Sequence, residues 1–162
     1  MIDWPLNSNR IRRGGINHTF GMVRRNPDGS SRPHQGWDFY AAPGTPCYAV
    51  SDGAVRLIRT AGDYGNTVVI EFDHDGDKRF AAYSHLSRID VTSGQRLTVG
   101  DVIGLSGNSG NAVSMRGEDC HLHFEYRTLM APGSGLAGRL SPANLFGSAP
   151  LAAAVARKGI VA

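Results

Sequence analysis

Residues 120–125, Cys-His-Leu-His-Phe-Glu, alternate histidine with large apolar side chains. Because successive side chains of a β-strand point to opposite faces, His121 and His123 share one face while Leu122 and Phe124 share the other. The apolar face belongs in a core, so the opposite face presents two imidazoles side by side. Imidazole is a favoured zinc ligand and the usual general acid or base near neutral pH. This stretch therefore predicts a strand that carries a metal or catalytic site.

Two other places in the chain supply groups of the same kind. His34 and Asp38 are four residues apart, and Gly36 and aromatic residues between and around them favour an extended segment over a helix. His85 lies in a further strand-like segment. His34, Asp38 and His123 together offer two nitrogen ligands and one oxygen ligand, a set that leaves a position open for water on zinc.

Short segments of strand-forming residues recur through the middle of the chain, separated by turn signals. Asp75-Gly76, between two of these segments, is typical of a tight hairpin. The 21 glycines and 8 prolines also favour a β-rich fold. The sequence predicts strands at 37–41, 45–50, 53–60, 67–72, 78–83, 101–106 and 121–127. One domain, 15–148, is expected to carry the chemistry, between an N-terminal extension (1–14) and a C-terminal tail (149–162).

Length and charge narrow the possible classes of protein. A chain of 162 residues is long enough for one domain with a substantial core. The net charge of +3 suits solubility or adhesion to an anionic polymer, and no basic run with interleaved aromatic residues predicts nucleic-acid binding. No apolar run approaches the ~20 residues that a membrane-spanning helix needs. The first residues also lack the pattern of a secretory signal peptide.

The two cysteines, Cys47 and Cys120, do not form a Cys-x-x-Cys pair, so they do not predict a zinc knuckle. They are expected on separate strands, with no independent sign that they meet. Two separately buried free thiols are therefore the favoured prediction, and a disulfide between them stays open as the alternative.

Several motifs, in order along the chain, resemble the lysostaphin-type (LytM-domain) zinc metallopeptidases. The resemblance extends over about residues 20–127 and includes the intervening glycine and proline positions. Its motifs are HxxxD at 34–38, APGTP at 42–46, YSHL at 83–86, GDVIG at 100–104 and HLHFE at 121–125.

The resemblance implies a role for each candidate residue. It implies that His34, Asp38 and His123 hold one Zn²⁺ per chain, and that His85 and His121 are the catalytic pair beside the metal. The implied fold is mainly β, an antiparallel two-sheet β-structure with the active site in a groove on one sheet. The implied reaction is endopeptidase cleavage of peptide cross-links or stem peptides of bacterial peptidoglycan, with D-amino-acid cross-links favoured.

Some residues have two interpretations. Glu125 shares strand parity with His123, so it could orient an imidazole; a surface or core-edge partner is the alternative. Residues 106–111 form either a plain glycine-rich loop or a wall of the active-site groove. His18 and His74 are expected to be structural or surface histidines.

The biological setting is also left with alternatives. The chain is expected to act in the periplasm or outside the cell at the wall, either secreted by a route that needs no signal peptide or trimmed of one. An antibacterial effector with a dedicated inhibitor protein, a phage-associated lysin and a housekeeping enzyme all fit. The rival from another class is a non-catalytic module that binds peptidoglycan or activates another wall hydrolase.

Overall fold

One large antiparallel sheet of nine strands and two small sheets of two strands organise the protein, whose computed structural model describes residues 1–159. A short helix, α1 (Ala143–Phe146), follows the last strand of the large sheet. The strands are β1 (Ser8–Asn9), β2 (Gly21–Arg25), β3 (Ser31–His34), β4 (Trp37–Tyr40), β5 (Pro46–Tyr48), β6 (Gly53–Thr60), β7 (Asn66–His74), β8 (Asp77–Ile89), β9 (Arg96–Leu97), β10 (Val102–Ser106), β11 (His121–Arg127), β12 (Arg139–Leu140) and β13 (Val155–Ala156).

The strand order explains how the sheet carries a site. Hydrogen bonding runs in the order β12-β11-β8-β7-β6-β9, while β4 pairs with β11 and β10 bridges β5 and β8. The small sheets are the hairpin β2-β3 and the pair β1-β13. The prediction of a mainly β, antiparallel fold is confirmed. All seven predicted strands are present: those at 53–60 and 121–127 have the predicted bounds, and the other five differ at one or both ends.

The β7-β8 hairpin forms at the predicted turn, where Asp75 and Gly76 both adopt positive φ values of 52° and 84°. Both strands extend beyond the predicted limits. Six short strands were not predicted, because two to five residues give too few alternations to show a period. They are β1, β2, β3, β9, β12 and β13.

Residues from the segment predicted as an N-terminal extension enter the core. Trp4, Leu6 and Ile11 are buried there, and β1 pairs with β13 of the predicted C-terminal tail. The last three residues of that tail, 160–162, lie outside the described residues. Among residues 1–159, no helix has both the length and the apolar character needed to cross a bilayer.

The core lies on the apolar face of β11. Leu122 is opposite Phe39 and Phe124 is opposite Trp37 in the β4-β11 register, and all four side chains are buried. Burial of side chains of this size contributes roughly 1.5–3 kcal/mol each. Because this face is fixed, the other face of β11 must carry His121 and His123, as the alternation predicts.

Both cysteines are free and buried, in agreement with the favoured prediction. Burial raises the pKa of the Cys47 thiol to about 12, so it stays protonated at neutral pH. Cys47 pairs with Gly104 through β5-β10, whereas Cys120 immediately precedes β11. The two thiols therefore lie at separate buried positions.

Candidate metal centre

The strand register brings together the five residues that the sequence singled out. His123 on β11 lies opposite Asp38 of β4 on one side and opposite Ser84 of β8, next to His85, on the other. Residues directly opposite in an antiparallel pair project their side chains from the same face, so Asp38 and His123 become neighbours. His34 ends β3 just before β4 begins. These residues and His121 are each at most 4% exposed.

Gly36 allows the close approach of the segment that carries His34 and Asp38. A Cβ atom at this position would overlap the backbone carbonyl of Phe124 on β11. Only glycine therefore lets the turn between β3 and β4 lie directly against β11.

Three of the predicted residues converge on one point. Asp38 Oδ1 lies 2.8 Å from Nδ1 of His123 and 3.1 Å from Nε2 of His34. One ligand atom from each of the three residues lies within 4.8 Å of the other two. Two imidazole nitrogens and one carboxylate oxygen are a common ligand set for catalytic zinc.

Hydrogen bonds on the far side of each ring show that these groups fit a cation. Nδ1 of His34 lies 2.8 Å from the carbonyl oxygen of Thr19, and Nε2 of His123 lies 2.9 Å from Oε1 of Glu125. Because these oxygens only accept, the ring nitrogens facing them carry the protons. The nitrogens facing Asp38 then hold lone pairs, which would repel the carboxylate oxygen unless a cation lies among them. The donor set therefore fits zinc.

Without a metal, protons take the place of the cation. Burial alone would lower the pKa of His123, but hydrogen bonds to Asp38 and Glu125 raise it to about 9. Burial alone would raise the pKa of Asp38. Hydrogen bonds from His123, His18 and His34 instead hold this pKa well below the usual range for an aspartate. Asp38 is therefore ionised, as a metal ligand must be.

His85 and His121 form a second pair beside this cluster, with ring centroids 5.1 Å apart. Nδ1 of His85 lies 2.8 Å from the Ser109 carbonyl oxygen, and Nδ1 of His121 lies 2.7 Å from the Asp119 carbonyl oxygen. Nε2 of each neutral ring therefore holds a lone pair. Burial lowers the pKa of both rings, that of His85 to about 4, so both are neutral at pH 7.

The backbone of β8 is irregular at His85. This residue has φ of 62°, a left-handed conformation that a β-strand residue rarely adopts. The pairing of β8 with β7 also shifts register just beside it. Its amide donates to the carbonyl of Tyr64 at 2.9 Å. Strained positions of this kind cluster at functional sites, and here the irregularity turns the imidazole toward His121.

Glu125 is fully buried and bound on several sides. Besides His123, it accepts from Arg127 and Arg139 at 2.6 and 2.7 Å and from the Tyr64 hydroxyl at 2.6 Å. Burial alone would raise the pKa of Glu125, but His123 and the two arginines hold it far below the ordinary value. Of the two interpretations of Glu125, the structure shows contact with the imidazole of His123.

Several residues around the site were not anticipated. Arg24 and His18 lie 3.0 and 3.4 Å from Oδ2 of Asp38, and Arg12 lies at 3.7 Å. Tyr64 stacks on His123 with centroids 5.1 Å apart and also donates to Gln35. These residues come from the turn-rich N-terminal region and a loop, where no periodic pattern indicates which way a side chain points.

The loop at 106–111 borders the site, as one of its two interpretations required. Ser109 holds His85 through its carbonyl, and Asn111 lines the cleft above the metal cluster. His74 lies elsewhere, 2.8 Å from the hydroxyl of Tyr126, in line with a structural role. The cleft is lined by Arg12, Arg24, Pro33, His34, Gln35, Asp38, Tyr64, His85, Asn111, Met115, His121 and His123.

Known proteins share this architecture. The chain is 42% identical over 93 residues to the peptidoglycan DD-endopeptidase ShyA of Vibrio cholerae, a match that covers 57% of this chain and 20% of that protein. The structure resembles a zinc containing peptidase from Vibrio cholerae, with a TM-score of 0.61, 34% identity and coverage of 76% of this chain and 35% of the other. This chain therefore spans only about a fifth of the length of ShyA.

A second structural relative is covered almost completely. The catalytic domain of the antimicrobial peptidase lysostaphin from Staphylococcus simulans has a TM-score of 0.62 and 26% identity, with coverage of 80% of this chain and 90% of that domain. The prediction of a zinc cofactor is confirmed by the family, by the zinc containing relative and by the His/Asp cluster. Residues 32–134 match the model of peptidase family M23, and the chain belongs to that family.

Proposed function

We propose that this domain is a zinc endopeptidase that hydrolyses peptide bonds in bacterial peptidoglycan. The observation that carries the proposal is the convergence of two imidazole nitrogens and one carboxylate oxygen within 4.8 Å, beside a second histidine pair in the same cleft. His34, Asp38 and His123 are the proposed ligands. Zinc bound there supplies Lewis acidity, which activates water and polarises a carbonyl.

The proposed catalytic pair has the protonation state that amide hydrolysis requires. His121 is neutral and presents Nε2 as a lone pair, so it accepts a proton from the attacking water. The protonated ring then delivers that proton to the departing amine nitrogen. His85, held in the same tautomer 5.1 Å away, also presents an Nε2 lone pair, so it accepts the second proton of that water and passes it to the departing amine.

We further propose D-amino-acid cross-links as the preferred bonds. Support comes from ShyA, whose name states a DD-endopeptidase activity on peptidoglycan. Such a substrate lies in the periplasm or outside the cell, at the wall, and we propose that the domain acts there. A dedicated inhibitor protein in the producing cell would accompany an antibacterial role; binding of a neighbouring gene product with loss of wall hydrolysis would test it.

The rival function is a non-catalytic module that binds peptidoglycan or activates another hydrolase. Such a module has no need of a complete ligand set or of tautomer-fixing contacts on four histidines. Here each of these four rings has an acceptor on its far nitrogen. This arrangement favours the enzyme over the binding module.

Hydrolysis of purified cell walls tests the proposal. The zinc-loaded protein should release soluble peptide fragments and new amino groups, and a chelator should stop the release. His74→Ala is the matched control, because His74 lies outside the cleft, and it should retain activity. Zinc-loaded protein that binds walls without releasing fragments would instead favour the non-catalytic module.

A further inference from the structure

Two arginines face each other across the β2-β3 hairpin. In the register of these strands Arg24 lies directly opposite Arg32, so both side chains project from the same face. Like charges in this position repel and destabilise a hairpin. The hairpin thus holds cations together at a cost to its own stability.

This arginine face is continuous with the metal cluster. Arg32 precedes His34 by two residues on β3, so the two side chains share a face and lie roughly 7 Å apart along the strand. Arg12 and Arg24 line the catalytic cleft and also a groove beside it, whose other lining includes His18, Val23 and Arg32. The groove therefore leads from the hairpin to the cluster.

One of the facing arginines is fixed and the other is free to bind. The Nε atom of Arg24 donates to the carbonyl of Asn17 at 2.9 Å, and an Nη atom donates to Asp38 at 3.0 Å. Arg32 is exposed and makes no ion pair with any carboxylate among the described residues. A rigid guanidinium beside an unpaired one is a suitable receptor for an anion.

The nearby carboxylates pair with arginines other than Arg32. Asp38 accepts from Arg24 at 3.0 Å and is a proposed zinc ligand, and Asp119 is already paired with Arg12 and Arg13 at 3.0 and 2.6 Å. The planar fork of a guanidinium matches the two oxygens of a carboxylate, which it binds through two parallel hydrogen bonds. Cross-linked peptidoglycan peptides carry such carboxylates within a few residues of the bond that is cut.

We infer that Arg24 and Arg32 form a subsite for a free carboxylate of the substrate peptide, about two residues from the scissile bond. This inference rests on the proposed function and deepens it, since it specifies acidic over amidated peptides as the substrate class. The carboxylate belongs either to an internal residue of the stem peptide or to its C-terminus. Arg24 and Arg32 are positioning groups for the substrate.

Matched acidic and amidated substrates test the inference. The value of kcat/KM should be measured for cross-linked muropeptides with all carboxylates free, and for versions amidated at the internal or at the C-terminal carboxylate. Wild type should cleave the acidic form about 10-fold better than one of the amidated forms, and that form identifies the carboxylate. In Arg32→Gln the preference should fall below about 3-fold, with Arg32→Lys intermediate because it keeps the charge and loses the fork.

The control is Arg96→Gln, a change to another exposed arginine, on β9 at the opposite edge of the large sheet. It should keep the wild-type preference. Arg32→Gln should unfold at the same temperature as wild type or higher, because it removes the repulsion from Arg24. Equal cleavage of all substrates by wild type, or an unchanged preference in Arg32→Gln, would overturn the subsite.

Binding separates failure of the subsite from failure of the proposed function. If zinc-loaded wild type cleaves no substrate, the endopeptidase proposal fails, and binding of an uncross-linked stem peptide then decides the subsite. About 10-fold tighter binding of the acidic peptide than of its amide, lost in Arg32→Gln, supports the carboxylate subsite. Equal affinity for the two forms refutes it.

Discussion

Oε1 of Glu125 lies 2.9 Å from Nε2 of His123, and this contact determines which nitrogen of the imidazole faces Asp38. A carboxylate oxygen only accepts, so Nε2 carries the proton and Nδ1 is left as the lone pair toward the cluster. Arg127 and Arg139 keep Glu125 ionised. The orientation of the His123 ring thus depends on Glu125 and, through Glu125, on Arg127 and Arg139.

Replacement of Glu125 by glutamine should weaken zinc binding by about 10- to 100-fold, because the neutral amide no longer fixes the tautomer of His123. It should also cost roughly 3–5 kcal/mol of unfolding free energy, since Arg127 and Arg139 lose their buried counter-charge. Competition with a chromophoric chelator and denaturant unfolding measure the two effects. Glu71→Gln, which removes the charge from a partly exposed ion pair with Lys78, is the control and should change neither. Normal zinc affinity in Glu125→Gln would contradict the role of Glu125.

The ligand assignment predicts a definite metal content. Wild type should bind about one zinc per chain, and Asp38→Ala, His34→Ala and His123→Ala should each lose most of it. Elemental analysis after dialysis gives the ratio. His74→Ala should keep its zinc, because this ring contacts Tyr126 instead. Full zinc retention by both Asp38→Ala and His123→Ala would show that the metal binds elsewhere.

Loss of a proton-transfer group should separate turnover from metal content. His121→Ala and His85→Ala should bind zinc nearly normally and lose about 10²–10⁴-fold in kcat. Steady-state kinetics and metal analysis on the same preparations check both parts. If His121→Ala hydrolysed the substrate with the kcat of wild type, another group would have to transfer the proton.

The pH dependence follows from burial of the catalytic pair. Burial lowers the pKa of His121 below the ordinary 6.5 and that of His85 to about 4, so the neutral forms persist into mildly acidic solution. Since activity needs the lone pairs, kcat/KM should fall as pH drops through the range between about 4 and 6.5. The profile should be flat from there to neutrality, provided zinc stays bound. An acid limb with its midpoint above pH 7 would contradict this account.

The sequence predicted the centre of the site because strand alternation is a local property. Once Leu122 and Phe124 occupy the core, His121 and His123 must share the other face. The approach of Asp38 depends on the β4-β11 register. Trp37 and Phe39, which lie opposite apolar residues of β11, also specify that register. Residue types and parity were enough to place His121 and His123 on one face, whereas the roles of the five residues were implied by the family resemblance.

The surroundings of the site could not be predicted in the same way. Arg24 reaches Asp38 from a hairpin that forms a sheet of its own, and Tyr64 reaches His123 from a loop. Trp4 and Leu6 lie in the core, although the segment that carries them is polar and turn-rich. Such contacts are long-range in sequence, and turns without a period do not indicate side-chain direction.

The most direct test of the central claim is the mass of products from defined cross-linked muropeptides incubated with protein that carries one zinc per chain. We predict that each cross-linked dimer gains one water and separates into two peptides at the cross-link, and that a chelator abolishes the reaction. Intact dimers recovered from fully zinc-loaded, folded protein would contradict the claim that this domain is a peptidoglycan endopeptidase.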